Sequence, residues 1–178
     1  HQRKQLNTIS EFVRPTSAMK REAFFSIIKS YSLKNSYDFF SDKVFLDLFA
    51  GIGTMGLEAI SRGIEYAIFY ENNKEVIKVL KKNCKKFCNQ NQYKIIKEDV
   101  ANSNFEINFN KISIIYIDPP YHEYDITKLL IYLQNRVKKK SIIGVESSIK
   151  DTFKIPKKLK LIKQKKYGKT NISFLILA

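Results

Sequence analysis

Residues 44–56 read VFLDLFAGIGTMG, a nearly unbroken apolar run followed by glycines at 51, 53 and 56. A short run that is apolar on both faces is the pattern of a parallel strand buried between two layers. Thr54 to Ser61 then follows as a helix closed by Gly63, and YAIFYE (66–71) is a second buried run, ending in an acid. Strand, glycine turn, helix and strand in that order predict an α/β fold.

The same beat continues downstream. A helix is expected over 73–89, with Val76, Ile77, Leu80, Cys84, Phe87 and Cys88 on one face and Lys78, Lys81, Lys82, Lys85 and Lys86 on the other. YKIIK (93–97) and ISIIYID (112–118) read as strands, 126–137 as a helix, SIIGVE (141–146) as a strand, and LKLIKQKKYG with KTNISFLILA as a closing pair turned at Gly168-Lys169. Upstream, Thr16 or Ser17 can cap a helix from about 17 to 31, with Met19, Ala23, Phe24, Ile27, Ile28 and Tyr31 at helical spacing. No repeat or linker divides the chain, so one domain is expected over 1–178: an N-terminal segment and helix (1–31) and a core (44–178).

Composition sets the outer limits. At 178 residues, 44% hydrophobic and 13% aromatic, the chain can build a real core and is not intrinsically disordered. No apolar run approaches the ~20 residues of a membrane span, and HQRKQLNTIS has no signal-peptide core, so a soluble protein without membrane partners is expected. Cys84 and Cys88 sit a helical turn apart, neither a disulfide framework nor a metal motif, which fits a reducing cytoplasm. Thirty-two Lys and Arg against 17 Asp and Glu leave a charge of +15, which suggests a polyanionic partner.

Chemistry-bearing residues keep falling at the carboxyl ends of the expected strands, where open α/β sheets bind ligands. Gly51 and Gly53 let backbone approach a ligand, and the helix start beyond them favours an anionic group. Asp47 opens the glycine motif, Glu71, ending the next strand, is placed to accept hydrogen bonds from ribose hydroxyls, and Asp99 is a third ligand-facing acid. Each acid alone reads as a solvated strand end; all three together favour a nucleotide-type ligand. Gly51 to Gly56 also spells G-x-G-x-x-G, but Asp47 lies four residues before it inside the strand, so a nicotinamide cofactor stays open at this point.

Asp118-Pro119-Pro120-Tyr121 is more specific. Two prolines remove two backbone donors, leaving carbonyl oxygens, a carboxylate and a phenol ring. Such a cradle suits a planar base bearing an exocyclic amine: Asp118 and the Pro119 carbonyl accept its N–H groups while Tyr121 stacks on the ring. His122 reads as a surface residue, and the Lys157–Lys169 run as either an RNA-facing ribbon or a solvated face.

DLFAGIG (47–53), Glu71, Asp99 and DPPY (118–121) together resemble the class I S-adenosylmethionine-dependent methyltransferases that modify exocyclic amines. RPTSAMKREAFFSII (14–28) is similar to the signature of the bacterial 16S ribosomal RNA guanine-N2 methyltransferase family, with Met19 and Lys20 standing where that family usually carries Arg and Val. The resemblance extends over nearly the whole chain, including YGKTNISFLIL (167–177). It implies a Rossmann-like fold: a seven-stranded, mostly parallel sheet with an antiparallel last strand and helices on both faces. It implies S-adenosyl-L-methionine as cofactor, with Phe49, Ala50, Gly51 and Gly53 at its methionine part, Glu71 at the ribose, Asp99 and Val100 at the adenine, and Asp47 and Asn72 among the cofactor-binding residues. Asp118, Pro119, Pro120 and Tyr121 would be the catalytic cradle, and Arg14, Thr16, Lys20 and Tyr121 would meet the RNA. A cytoplasmic monomer acting on ribosomal RNA within the small subunit, with no metal, is the expectation. The competing readings are an adenine-N6 DNA methyltransferase, a non-catalytic RNA-binding or ribosome-assembly protein on the same fold, and, more distantly, a nicotinamide-dependent oxidoreductase.

Overall fold

A computed structural model describes residues 17–120 and 123–178 of the chain. Helix α1 (Ala18–Lys34) is followed by β1 (Val44–Asp47), α2 (Thr54–Ser61), β2 (Tyr66–Tyr70), α3 (Lys74–Phe87), β3 (Tyr93–Ile96), β4 (Ile112–Ile117), α4 (Ile126–Leu133), β5 (Ile142–Ser148), β6 (Leu159–Tyr167) and β7 (Thr170–Leu177). The strands form one seven-stranded sheet in the order β3-β2-β1-β4-β5-β7-β6. The pairs from β3 through β5 are parallel, and β7 runs antiparallel to both β5 and β6. From β1 the chain winds outward to β2 and β3, then returns to lay β4 on the other side of β1. This reversal opens a crevice beyond the carboxyl ends of β1 and β4.

Both faces are covered, which is why the central strands carry no polar alternation. Phe45, Ile114 and Tyr116 face one cluster with residues of α1, α2 and α3, while Leu46, Ile115 and Ile117 face a second with Ile126, Leu130 and Leu133 of α4. Residues alternate sides along a strand, so each four- to six-residue strand feeds two cores at once.

Helix α1 begins as expected: Ser17 is its N-cap, its hydroxyl accepting from the Lys20 backbone N–H at 3.3 Å. Its buried stripe is wider than the spacing predicts and shifted, for Phe25 is fully buried beside Phe24 whereas Met19 is 67% exposed. Phe24 fixes where the helix crosses the sheet. Its ring stands 5.1 Å from that of Tyr116 and 5.3 Å from that of Phe174, and lies so close to Gly144 that a Cβ there would meet it at 2.3 Å. Gly144 is therefore the gap in the sheet that α1 needs.

Helix α4 is shorter than the predicted 126–137. Gln134 ends it, and the N–H groups of Arg136 and Val137 both turn back to the Leu133 carbonyl, so Val137 is buried by a turn. Cys84 is in the core and Cys88 is half-buried; both are free thiols, and burial pushes Cys84 up to about 12. Among the described residues no helix is long and apolar enough to cross a membrane.

Candidate active site

A cleft of about 1070 Å³ opens at the carboxyl ends of β1, β2, β4 and β5. Its floor is the turn after β1. Gly51 and Gly53 both have positive φ (54° and 89°), and the left-handed Gly53 caps α2, whose first residues Thr54 and Met55 line the cleft. The turn is pinned on two sides. Glu71 accepts from the Gly51 N–H at 2.9 Å through one oxygen and from the Asn73 N–H at 2.8 Å through the other. Beneath it, buried Asn83 of α3 donates its amide to the Ile52 carbonyl at 3.0 Å. Asn83 shares the apolar face of α3, and a lone amide among Val, Ile and Leu was the sequence signal for a backbone anchor there.

Asp47 ends β1 with 1% of its surface exposed, and its Oδ1 has no hydrogen-bond partner among the described residues. Burial raises its pKa to about 7, with a further push from Glu71; backbone N–H groups of Gly56 and Phe49 pull the other way. A buried carboxylate oxygen on a cleft floor with nothing to accept from is a place for a cation or a strong donor. Burial likewise raises the carboxyl of Glu71, against backbone N–H groups that lower it.

The wall beyond β2 and β3 is built by Asp99. It accepts from the Tyr124 hydroxyl at 3.0 Å and the Asn72 amide at 3.3 Å, and Tyr124 in turn packs edge-on to Phe49 at 4.6 Å. Burial and the Asp99 carboxylate push the Tyr124 phenol up to about 12, so it remains a donor. Buried Val100 lines the same wall.

Asp118, Pro119 and Pro120 leave β4 at the opposite wall. Here the structure adds three residues to those read from the sequence: Glu146, Tyr116 and Thr170. Glu146 stands two residues beyond Gly144 on the same face of β5, and Lys20 lies one turn before Phe24 on α1, so the packing that seats Phe24 also brings Lys20 over Glu146. The Lys20 ammonium pairs with Glu146 Oε1 and donates to the Thr170 hydroxyl at 3.2 Å, while the Tyr116 hydroxyl donates to Glu146 Oε2 at 2.6 Å. Lys20, expected to meet RNA phosphate, is thus committed to a carboxylate that is 4% exposed. Glu146 was legible as another acid closing an apolar strand; the readable sequence pattern gave no hint of its partner, 126 residues away.

This network sets the charge of Asp118. Burial and then Glu146 push its carboxyl well above the usual carboxylate range, Asp47 adds to the push, and Lys20 opposes it. Burial, followed by the same acids, keeps the Tyr116 phenol protonated. Three carboxyls and one ammonium therefore share the floor between the glycine turn and the two prolines.

Of the residues singled out from sequence, Lys20, Asp47, Phe49, Ala50, Gly51, Glu71, Asn72, Val100, Asp118, Pro119 and Pro120 line this cleft. Gly53 supports it by capping α2, and Asp99 by holding Asn72 and Tyr124. Arg14, Thr16, Tyr121 and His122 lie outside the described residues.

The sequence profile of the family described as Conserved hypothetical protein 95 matches residues 1–176. The ribosomal RNA small subunit methyltransferase D of Buchnera aphidicola subsp. Acyrthosiphon pisum is 35% identical to this chain over 155 residues, spanning 86% of this chain and 76% of its own. The chain belongs to the small subunit methyltransferase D family. A structure from Streptococcus pyogenes, described as a conserved hypothetical protein, superposes with a TM-score of 0.75 at 22% identity, over 89% of this chain and 95% of its own. An RNA methyltransferase from Salinibacter ruber, solved in complex with S-adenosyl-L-homocysteine, has the same fold, with a TM-score of 0.66 at 14% identity over 92% of this chain and 94% of its own. This chain therefore has a Rossmann-like, class I methyltransferase fold, with β7 antiparallel to both its neighbours.

Proposed function

We propose that this chain transfers a methyl group from S-adenosyl-L-methionine to the exocyclic N2 amine of a guanosine in 16S ribosomal RNA, acting as a cytoplasmic monomer on the small subunit. The observation that carries the reading is the shared cleft: the glycine turn with Asp47 and Glu71 opens onto the same space as Asp118-Pro119-Pro120. The relative from Buchnera is named for methylation of small-subunit ribosomal RNA, and the Salinibacter protein carries the demethylated cofactor, which supports both substrate class and donor.

The residues fit the cofactor. Asp47 Oδ1 lacks a donor and would take the α-ammonium of its methionine part, beside Phe49 to Gly53. Glu71 has lone pairs to spare after accepting from Gly51 and Asn73, enough for ribose hydroxyls next to Asn72. Asp99 and Val100 would take the adenine edge. When bound, the sulfonium supplies an activated methyl group.

What the chain itself must do is prepare a poor nucleophile. The lone pair of an exocyclic amine is delocalised into the ring, and two acceptors, the Asp118 carboxylate and the Pro119 carbonyl, hold its N–H groups so that the lone pair is free to point at the methyl carbon. Pro119 and Pro120 have no N–H to compete for those acceptors. Tyr121 would stack on the base. Catalysis is then positioning and electrostatics, and Asp118 needs to be ionised, not strongly basic, because the amine proton becomes acidic only as the new bond forms. In the free protein burial, Glu146 and Asp47 hold Asp118 toward its protonated form, and Lys20, paired with Glu146, is the charge that opposes them and favours the carboxylate.

Titration calorimetry tests the cofactor half. S-adenosyl-L-homocysteine should bind, Gly51→Val should weaken it by crowding the turn, and tighter binding of NAD would overturn the reading.

A further inference from the structure

Of the lysines of the closing hairpin the cleft takes only Lys169 among its lining residues. From Thr152 to Ala178 the chain holds eight lysines and no Asp or Glu, so this stretch carries more than half of the net +15. Lys160, Lys163, Lys165, Lys166 and Lys169 are all exposed, and no ion pair joins them to a carboxylate among the described residues. Register sorts them by face. Lys160, Lys163 and Lys165 stand opposite Ile176, Phe174 and Ile172, and Ile172 and Phe174 belong to the core beneath α1. Directly opposed residues of an antiparallel pair share a face, so these three lysines form a row on the α1 side of the outermost strand. The row leads toward the site: β6 ends at Tyr167, and Tyr167, Gly168, Lys169 and Thr170 border the cleft, with Thr170 already bound to Lys20.

We propose that this row on β6 is a docking track for the RNA backbone, taking phosphates along Lys160, Lys163 and Lys165 and delivering the strand over the Tyr167–Thr170 turn to Asp118. The proposal rests on the RNA reading of the site and adds where the polyanion lies. Charge complementarity and continuity with the cleft select an RNA occupant, whereas the lysines of α3 lie along a helix that starts at the cleft with Asn73 and runs away from it, and one of them, Lys78, is paired with Glu75. An edge strand can also carry lysines merely to prevent pairing between copies of the sheet, and that role predicts a different outcome.

The test compares two triple variants of the full chain, each losing three charges: Lys160→Gln/Lys163→Gln/Lys165→Gln on β6, and Lys81→Gln/Lys82→Gln/Lys85→Gln on α3. Filter binding to a 16S ribosomal RNA transcript is measured from low to physiological salt, with S-adenosyl-L-homocysteine calorimetry as the check that each variant is folded. The β6 variant should lose about 2 from the slope of log affinity against log salt and bind at least about tenfold more weakly at low salt. The α3 variant should lose less than half as much. Equal losses would show that net charge and not this surface binds RNA, and would overturn the proposal. So would a β6 variant with an unchanged slope that self-associates, which is the result of edge protection. Failure of the methyltransferase reading appears separately, as absence of methyl transfer by the unaltered chain whichever surface holds RNA.

Discussion

Replacing Lys20 by Met keeps the length and apolar stem of the side chain and deletes its charge, so it isolates what the ammonium does for Glu146 and Asp118. Glu146 is 4% exposed and Lys20 19%, and with Lys20 gone the carboxylate keeps, among the described residues, only the Tyr116 hydroxyl at 2.6 Å. Breaking a buried pair from one side destabilises by about 3–5 kcal/mol; the partial exposure of Lys20 places this case near 2–3 kcal/mol. In a chain of this length that is about 5–10 °C of melting temperature. The second effect is on chemistry. Lys20 is the group that opposes burial, Glu146 and Asp47 at Asp118, so its loss moves Asp118 further toward the protonated form. Since methyl transfer needs the carboxylate, activity rises with pH through this titration, and the acid limb should move to higher pH in Lys20→Met. Urea unfolding measures the first effect, and single-turnover transfer from labelled cofactor across pH measures the second. Adding Glu146→Gln to Lys20→Met should restore most of both, because it removes the stranded charge and one of the acids burdening Asp118. A Lys20→Met protein within about 0.5 kcal/mol of the unaltered chain, with the same acid limb, would refute the reasoning.

Further outcomes follow from the same geometry. Asp47 is raised to about 7 against an ordinary value of 3.8, so the free protein gains stability from its protonated form below about pH 4 and loses up to about 4 kcal/mol of it as pH rises through 7; Asp47→Asn should flatten that dependence in urea unfolding. An ammonium ligand needs the carboxylate, so affinity for S-adenosyl-L-homocysteine should weaken about tenfold per unit below pH 7 and level off above it, and calorimetry on Asp47→Asn should show weaker, pH-independent binding. Asp118→Ala should lower single-turnover methyl transfer ~100-fold or more with little change in cofactor affinity. Asn83→Leu leaves the buried Ile52 carbonyl without its donor and should destabilise by about 1–3 kcal/mol in urea unfolding.

Strands β1, β2, β4 and β5 were legible because parallel strands buried on both faces leave continuous apolar runs, and their ends were legible because Asp47, Glu71 and Asp118 break those runs with acids. Helix α1 departs from its pattern in detail: periodicity counts Met19 and omits Phe25, whereas the helix lies across the sheet at Gly144 and buries adjacent phenylalanines. The network of Lys20, Glu146, Tyr116 and Thr170 joins four elements, and no local pattern encodes which of many lysines meets a given acid. The tightening of 126–137 into a helix ending at Leu133 depends on the turn that buries Val137, a tertiary contact that spacing alone cannot distinguish from a further helical turn.

The central claim is that one cleft places an activated methyl group against the exocyclic amine of a guanine. Small-subunit particles or 16S ribosomal RNA incubated with this chain and methyl-labelled S-adenosyl-L-methionine, then digested to nucleosides and separated by mass, test it directly. Label in N2-methylguanosine, lost in Asp118→Ala, is the predicted result; label confined to N6-methyladenosine, or none in either substrate from a chain that binds S-adenosyl-L-homocysteine, would contradict it.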